Sequence, residues 1–180
     1  MPRTLSSQVA ERVGETVTVK GWLHNLRSLG GVLFAVVRDR AGLVQAVTEG
    51  GADADLLRGL GSESVVAVSG PVAREPRAPT GVEIKIEEIE VIAAVRDALP
   101  LQINKAELKS GLETQLDHRA LSLRAPRMRA IFRVQHEVAT SFAEFLTAQG
   151  FTRIHTPKLV SAGAEGGSDL FQLDYFGRPV

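Results

Sequence analysis

The stretch GWLHNLRSLGGVLFAVVRDRAGLVQAV, residues 21–47, decides the fold. Its apolar and polar residues alternate as in β-strands, and Gly30-Gly31 and residues 39–42 interrupt the alternation where turns are expected. With the residues just before it, the stretch predicts consecutive strands at 16–23, 32–37 and 43–47. Polar and aromatic side chains stand among its apolar positions: Trp22, His24, Asn25, Arg27 and Arg38. The sheet therefore presents a surface that could hold a ligand.

The elements that follow complete a small β-domain. Residues 52–60, ADADLLRGL, predict a short helix with acidic residues in its first turn, where they complement the helix dipole. Residues 65–68 predict a fourth strand, and residues 82–92, VEIKIEEIEVI, predict a fifth with period-two alternation. This order matches the β-barrel of the OB fold, five strands plus a short helix. Any other small β-barrel is the alternative that the pattern leaves open.

Residues 97–125 read as a linker with a short helix, and its end is basic. Between Asp117 and Glu137 the sequence carries five arginines and no acidic residue. These arginines are Arg119, Arg124, Arg127, Arg129 and Arg133. They could meet a phosphate backbone, or they could simply solvate the start of a helix.

The period becomes helical at Pro126, a residue that suits a first helical turn. One face of the predicted helix is apolar up to Gly150: Met128, Ile131, Val134, Val138, Phe142, Phe145 and Leu146. Residues 151–160 then predict a strand interrupted at Pro157, and 161–169 a glycine-bearing loop. A last strand, 170–176, runs into the turn Gly177-Arg178-Pro179. A strand and turn with no partner strand predict that the chain is a fragment of a larger protein.

Composition sets the class of protein. The chain has 180 residues, 21 Lys and Arg against 21 Asp and Glu, and no cysteine. Disulfides and thiolate zinc sites are therefore excluded, and any nucleic acid must be held by local patches. The N-terminus lacks the apolar core of a signal peptide, and no apolar run reaches the roughly 20 residues of a membrane span. A cytoplasmic protein of two small domains, without a membrane partner, is expected.

Two segments carry a specific resemblance. Residues 21–47, quoted above, and residues 150–176, GFTRIHTPKLVSAGAEGGSDLFQLDYF, resemble the N-terminal part of an archaeal-type aspartyl-tRNA synthetase. The resemblance implies an OB-fold anticodon-binding domain at 1–96 and a linker or hinge at 97–125. It implies that residues 126–180 begin an α+β class II synthetase catalytic domain, with motif 1 and the loop that closes over the amino acid.

The first segment then supplies anticodon-binding residues. The resemblance implies that the central U of the anticodon stacks on Phe34 and that the amide of Gln45 hydrogen-bonds its edge, while Arg27 contacts phosphate or the neighbouring base. From pattern alone, Phe34 could instead be a core aromatic residue, and Gln45 could face solvent on its strand.

Two further positions concern the choice of tRNA. The resemblance implies that two positions distinguish the aspartate and asparagine anticodons, and this chain has His24 and Pro79 there. Family members that are selective for tRNA-Asp have tryptophan at the first position and lysine at the second. Proline offers a base neither a charge nor an N–H group, so we predict relaxed specificity, with charging of both tRNA-Asp and tRNA-Asn. A tRNA-dependent amidotransferase would be a partner for the second product. The alternative is that His24 packs on the barrel surface and Pro79 only shapes a turn.

The second segment supplies the amino-acid site. The resemblance implies that Glu165, Gly166, Gly167 and Ser168 close over L-aspartate, with the glutamate carboxylate receiving the α-ammonium group. It implies a homodimer through the 126–149 helix and Pro157. A flexible surface loop and a core helix are the respective alternatives.

The resemblance also implies what these residues do not contain. ATP and Mg²⁺ would be held mainly by residues beyond this chain. The chain itself would carry no catalytic residue and no metal ligand, and it would be inactive alone. Two other functions stay open: an asparaginyl-tRNA synthetase, which shares the barrel, and a non-catalytic OB-fold RNA-binding module.

Overall fold

The computed structural model describes residues 2–105, 107–156 and 173–179. The chain divides into two compact units, Met1–Arg129 and Ala130–Val180. The domain boundaries at 96/97 and 125/126 stay predictions.

The first unit is built on a six-stranded mixed sheet. Its strands are β1 (Thr16–Leu29), β2 (Val32–Arg38), β3 (Leu43–Thr48), β4 (Val65–Arg74), β5 (Val82–Lys85) and β6 (Glu88–Ala93). A 3₁₀ helix, Ser6–Arg12, precedes β1, and helix α1 (Gly51–Arg58) lies between β3 and β4. The order is β1-β2-β3-β5-β4-β6, and β1 also pairs with β4. The pairings of the first five strands therefore close a ring, with β6 beside β4.

The predicted single strand at 82–92 is wrong, because the chain forms two strands there. β5 pairs with β3 and with the end of β4, whereas β6 pairs with the start of β4. Between them, the N–H of Ile86 donates to the Val47 carbonyl and that of Glu87 donates to the Ser69 carbonyl. The chain exchanges neighbours at this point, a change that alternation in the sequence cannot reveal.

Apolar side chains from alternate strand positions fill the interior of the ring. One cluster contains mostly valines, among them Val17, Val19, Val37 and Val66, and a second joins Leu23, Leu33 and Ala35 to Ala54 and Leu57 of α1. Burying one such valine or leucine contributes about 1.5–3 kcal/mol. The sheet therefore has one apolar face, as its alternation predicts.

The turns around β2 form where the sequence predicts them. Gly30 and Gly31 both have positive φ, 59° and 88°, as a two-residue hairpin turn of the primed type requires. At the other end, the Asp39 carboxylate accepts hydrogen bonds from Ser6, Ala41 and Gly42. Burial alone would raise the pKa of Asp39, but these hydrogen bonds outweigh it and lower the pKa.

The β1–β2 ladder contains a bulge. Leu23 pairs with Val37, whereas Asn25 pairs with Val36, so His24 is an extra residue on β1. The pairs beyond the bulge include Leu26 with Ala35 and Arg27 with Phe34.

The connecting segment contains two short helices rather than one, α2 (Leu112–Asp117) and α3 (Arg119–Ser122). The long helix α4 (Pro126–Ala148) begins at the predicted proline. Gly150, with φ 88°, follows its end.

The end of the chain differs from the sequence-based prediction. Residues 151–156 form no strand, and the remainder of that predicted strand lies outside the described residues. β7 (Asp174–Tyr175) pairs with β8 (Arg178–Pro179) around a turn at Phe176 and Gly177, whose φ values are 53° and 74°. The turn is thus centred earlier than predicted, and the strand before it has a partner.

The approach of β1 to β2 permits only glycine at position 21. A Cβ there would overlap the backbone carbonyl group of Arg38. This group cannot move aside without breaking the β1–β2 ladder. We expect Gly21→Ala to lower the free energy of unfolding by about 1–3 kcal/mol, as overpacking does. Urea unfolding followed by circular dichroism would measure it. Gly59→Ala is the matched control, since Gly59 has φ −77° and a Cβ there makes only ordinary contacts. Equal stability of the two variants would contradict the prediction.

Candidate nucleic-acid interface

A groove of about 1050 Å³ crosses the outer surface of β1, β2 and β3. Its lining includes the three residues singled out from the sequence, Arg27, Phe34 and Gln45, together with Arg77, Glu83 and Lys85. The fold therefore brings the predicted anticodon-binding residues together in one groove.

Phe34 lies in the floor of this groove and is partly exposed. It stands directly opposite Arg27 in the β1–β2 ladder, and opposite residues project to the same face. The Arg27 guanidinium carbon lies 5.1 Å from the centroid of the Phe34 ring, within range of a cation–π contact. An aromatic face in a groove can stack a nucleic-acid base.

Gln45 does not face solvent, so that alternative is wrong. The residue is only 2% exposed, and both ends of its amide are hydrogen-bonded. Its Oε1 accepts from Arg27 Nη2 at 3.3 Å, and its Nε2 donates to Glu83 Oε2 at 3.0 Å. The two charged neighbours fix which end of the amide points each way.

Glu83 is a contact that sequence reasoning missed. It stands opposite Gln45 because β5 runs parallel to β3. Alternation within residues 82–92 marks Glu83 as a polar strand position, but the parallel pairing of two strands distant in the chain leaves no local pattern. Only the tertiary structure reveals this neighbour.

Charge in the groove is mixed. Its lining includes three basic residues, Arg27, Arg77 and Lys85, and three acidic residues, Glu49, Glu75 and Glu83. Arg77 donates to Glu75 through its side chain, and this hydrogen bond lowers the pKa of the partly exposed Glu75 carboxyl. A groove with both signs of charge positions a ligand by specific contacts rather than by a uniform basic field.

His24 and Pro79 do not belong to the groove lining among the described residues. His24 is the bulge residue, and its Nδ1 lies 3.0 Å from Arg38 Nη1. Burial, and next the charge of Arg38, lower the pKa of His24, which favours a neutral ring that accepts from Arg38. Pro79 is exposed in the turn between β4 and β5. Their role in tRNA choice stays a prediction.

The remaining predicted sites divide between two parts of the chain. Pro157 and Glu165, Gly166, Gly167 and Ser168 lie outside the described residues. On α4, five residues of the apolar stripe are more than half exposed: Ile131, Val134, Val138, Phe142 and Phe145. Within the described residues nothing covers this face, and both the core helix and the subunit interface stay predictions.

Two negative findings hold within the described ranges. The described residues contain no group of three or more His, Cys, Asp or Glu side chains that could hold a metal ion. No helix in the same ranges is both long and apolar enough to cross a membrane.

Comparison with known families agrees with this geometry. Residues 17–92 match the family described as OB-fold nucleic acid binding domain, and residues 111–176 match the family of class II tRNA synthetases (D, K and N). The fold class is thus an OB-fold domain followed by the start of a class II synthetase domain.

Individual relatives narrow the class. The chain is 45% identical to the Aspartate--tRNA(Asp/Asn) ligase of Archaeoglobus fulgidus over 170 residues, covering 92% of this chain and 39% of that protein. It is 44% identical to the ligase of the same name from Deinococcus radiodurans, covering 100% of this chain and 40% of the relative. Over nearly its whole length the chain is thus similar to aspartate–tRNA ligases, and it spans about 40% of the length of the curated relatives it matches.

A solved structure is similar over the same span. The asparaginyl-tRNA synthetase from Pyrococcus horikoshii, complexed with asparaginyl-adenylate, has a TM-score of 0.88 and 32% identity. The match covers 99% of this chain and 42% of that one.

Proposed function

We propose that the protein containing this chain is an aspartate–tRNA ligase. It activates L-aspartate with ATP and transfers it to tRNA-Asp and to tRNA-Asn, in the cytoplasm. The groove carries the proposal, because Phe34 offers an aromatic face beside the oriented amide of Gln45. The names of the relatives, which join Asp and Asn, support the pair of tRNAs.

The contacts in the groove suggest how an anticodon base binds. Arg27 lies over Phe34 and also donates to Gln45, so it occupies the place where a base would stack. An entering base displaces the guanidinium group, which then reaches a phosphate or the neighbouring base. Gln45, released by Arg27 but still held by Glu83, keeps its carbonyl oxygen free to accept from an N–H of the base.

Amino-acid recognition is assigned to the segment outside the described residues. We propose that the Glu165 carboxylate receives the α-ammonium group of aspartate and that Gly166 and Gly167 let the segment close over it. When bound, ATP with Mg²⁺ would supply the adenylyl group that activates the aspartate carboxylate, with pyrophosphate as the leaving group, and residues outside the described ranges would hold both. Aspartyl-tRNA-Asn would pass to a tRNA-dependent amidotransferase.

An asparaginyl-tRNA synthetase is the second candidate. The similarity to the Pyrococcus horikoshii enzyme favours it, whereas the names of the more identical relatives favour aspartate. ATP–pyrophosphate exchange by the full-length protein with each amino acid separates the two candidates.

Removal of the Phe34 ring tests the anticodon groove. We expect Phe34→Ala in the full-length protein to weaken tRNA-Asp binding by about 1–3 kcal/mol, the value of one stacked base, so the KM for tRNA rises roughly 5- to 150-fold. Aspartate-dependent ATP–pyrophosphate exchange should stay near the wild-type rate. Ile92→Ala, an exposed apolar truncation on β6, is the control. Loss of exchange in a folded Phe34→Ala protein would show that the domain assignment is wrong. Glu165→Ala should do the reverse and damage exchange itself.

The choice of tRNA is tested by charging tRNA-Asn. Aspartate and asparagine anticodons differ only in the third base, C or U, so a selective enzyme must distinguish their hydrogen-bonding groups. We expect tRNA-Asn transcript to be aspartylated within about a hundredfold of the tRNA-Asp rate, or roughly 2.7 kcal/mol. Pro79→Lys should then shift the enzyme toward tRNA-Asp.

Pro76→Lys provides the matched control, since Pro76 is exposed in the same turn and the change adds the same charge. An equal shift in both variants would mean that charge in the turn, rather than position 79, determines the preference. A slower tRNA-Asn rate than the hundredfold limit would refute relaxed specificity.

The exposed apolar face of α4 supports a homodimer. Burial of Phe142 and Phe145 against a second subunit would remove large apolar side chains from water. We expect the full-length protein to sediment as a dimer at micromolar concentration, and Phe142→Glu to shift it toward monomer. A wild-type protein that sediments only as monomer would overturn the proposal.

A further inference from the structure

A buried ion cluster lies at the end of the β1–β2 ladder that is distant from the Gly30-Gly31 turn. The Oε2 atom of Glu63 accepts from Arg38 Nη2 at 2.6 Å and from Arg124 Nη1 at 3.0 Å. The Glu63 side chain is 1% exposed and that of Arg38 is 6% exposed. The Oε1 atom of Glu63 has no hydrogen-bond partner among the described residues. A buried carboxylate with only half of its bonding capacity used is costly, so packing alone does not explain its presence.

The same arginines reach Trp22 on β1. The guanidinium carbons of Arg38 and Arg124 lie 5.5 and 5.0 Å from the Trp22 ring, within cation–π range. His24 completes the group through its ring contact with Arg38. We call these residues the Glu63 cluster: Trp22, His24, Arg38, Glu63 and Arg124.

The backbone of Glu63 is also held in an unusual state. Its φ is 69°, in the left-handed region that residues other than glycine seldom adopt. In this conformation its N–H donates to the Leu23 carbonyl at 2.8 Å, and the Leu23 N–H donates to the Ser64 carbonyl at 2.7 Å. Both backbone groups of the residue just before the bulge are therefore fixed by the Glu63 segment. Backbone strain of this kind persists where the surrounding contacts determine it, and it is frequent at functional sites.

The bulge matters because it selects the side chains that share the groove. With His24 as the extra residue, Arg27 pairs with Phe34 and both face the groove. In a ladder without the bulge, continued from the Leu23–Val37 pair, Arg27 would stand opposite Leu33, which is buried. Phe34 would stand opposite Leu26. A one-residue shift of this kind moves a strand's side chains to other faces and partners.

We infer that Glu63 is a positioning residue for RNA binding, an inference that rests on the proposed function. Its carboxylate holds Arg38 against His24, and its backbone holds Leu23, so the cluster fixes the bulge residue and the residue just before it. The bulge in turn aligns Arg27 with Phe34. Through its hydrogen bond to Glu63, Arg124 connects the cluster to the segment between the sheet and α4. Basic residues accumulate around the start of α4.

Glu63→Gln tests the inference on the 180-residue chain. The probe is a fluorescently labelled anticodon stem-loop of tRNA-Asp, with its Kd measured by anisotropy and corrected for the folded fraction. Removing a negative charge should by itself tighten RNA binding, since phosphates repel carboxylates. We expect the opposite, a Kd raised by about fivefold or more. Glu90→Gln, at an exposed position of β6, removes the same charge elsewhere and should not weaken binding.

Two spectroscopic signatures separate positioning from a loss of stability. Trp22 is the only tryptophan in the sequence, so its emission reports directly on the cluster and should change in Glu63→Gln. Cross-strand nuclear Overhauser contacts between the backbones of Arg27 and Phe34 should weaken or disappear. A variant that is less stable, but keeps these contacts and the wild-type Kd, would overturn the inference.

Arg124→Gln covers the case in which Glu63→Gln does not fold. Arg124 is partly exposed, so we expect the variant to fold, and it loses one of the two hydrogen bonds that hold Glu63 Oε2. Binding should weaken more than in Arg96→Gln, which removes a positive charge from an exposed position. Equal Kd values for these two variants would also overturn the inference. Phe34→Ala separates a failure of the proposed function from a failure of this inference. If Phe34→Ala leaves the Kd unchanged, the groove is not the RNA-binding site. If Phe34→Ala weakens binding but Glu63→Gln does not, only the role of Glu63 is rejected.

Discussion

Strand β1 carries one residue more than β2 needs between Leu23 and Asn25, and the candidate site depends on this bulge. A ladder has a side-chain period of two, so a single extra residue changes every cross-strand pair beyond it. Here it places Arg27 opposite Phe34 and leaves the apolar Leu23 in the core. The close approach at Gly21 and the two-glycine turn at 30–31 fix the ladder before and after the bulge. The groove is thus a consequence of register rather than of any single binding residue.

The charged neighbours of Gln45 determine how its amide is oriented in the groove. Gln45 is buried between a cation and an anion, and because its two ends differ, Arg27 and Glu83 select one orientation of the amide. A site that is ordered before its ligand arrives loses less conformational entropy on binding. The bound base, however, has to replace the Arg27–Phe34 contact. Binding is therefore an exchange of one contact with an aromatic face for another, which favours a ligand that both stacks and offers a phosphate to the released guanidinium group.

The two units differ in how far their elements are paired or covered. In the first, almost every strand has a partner on both sides, and the connections at Asp39 and at Ile86–Glu87 are satisfied by hydrogen bonds. In the second, α4 presents large exposed apolar side chains such as Phe142 and Phe145. An apolar face of that extent on a helix is typical of a surface that another protein element covers. Residues 111–176 match the class II tRNA synthetase family, and the relatives that the chain matches are longer than it is.

The sequence by itself determined the succession of the first four strands along the chain, the turn at Gly30-Gly31, the start of α4 at Pro126 and the candidates Arg27, Phe34 and Gln45. These features follow from local periodicity, from glycine and proline geometry, and from family resemblance, all of which are written in consecutive residues. The tertiary structure alone decided the bulge at His24, the division of residues 82–92 into β5 and β6, and the neighbours Glu83 and Glu63. Each of these depends on pairing between segments that are distant in the chain. Register and partner choice are settled by the energy of the whole sheet, and no local pattern records them.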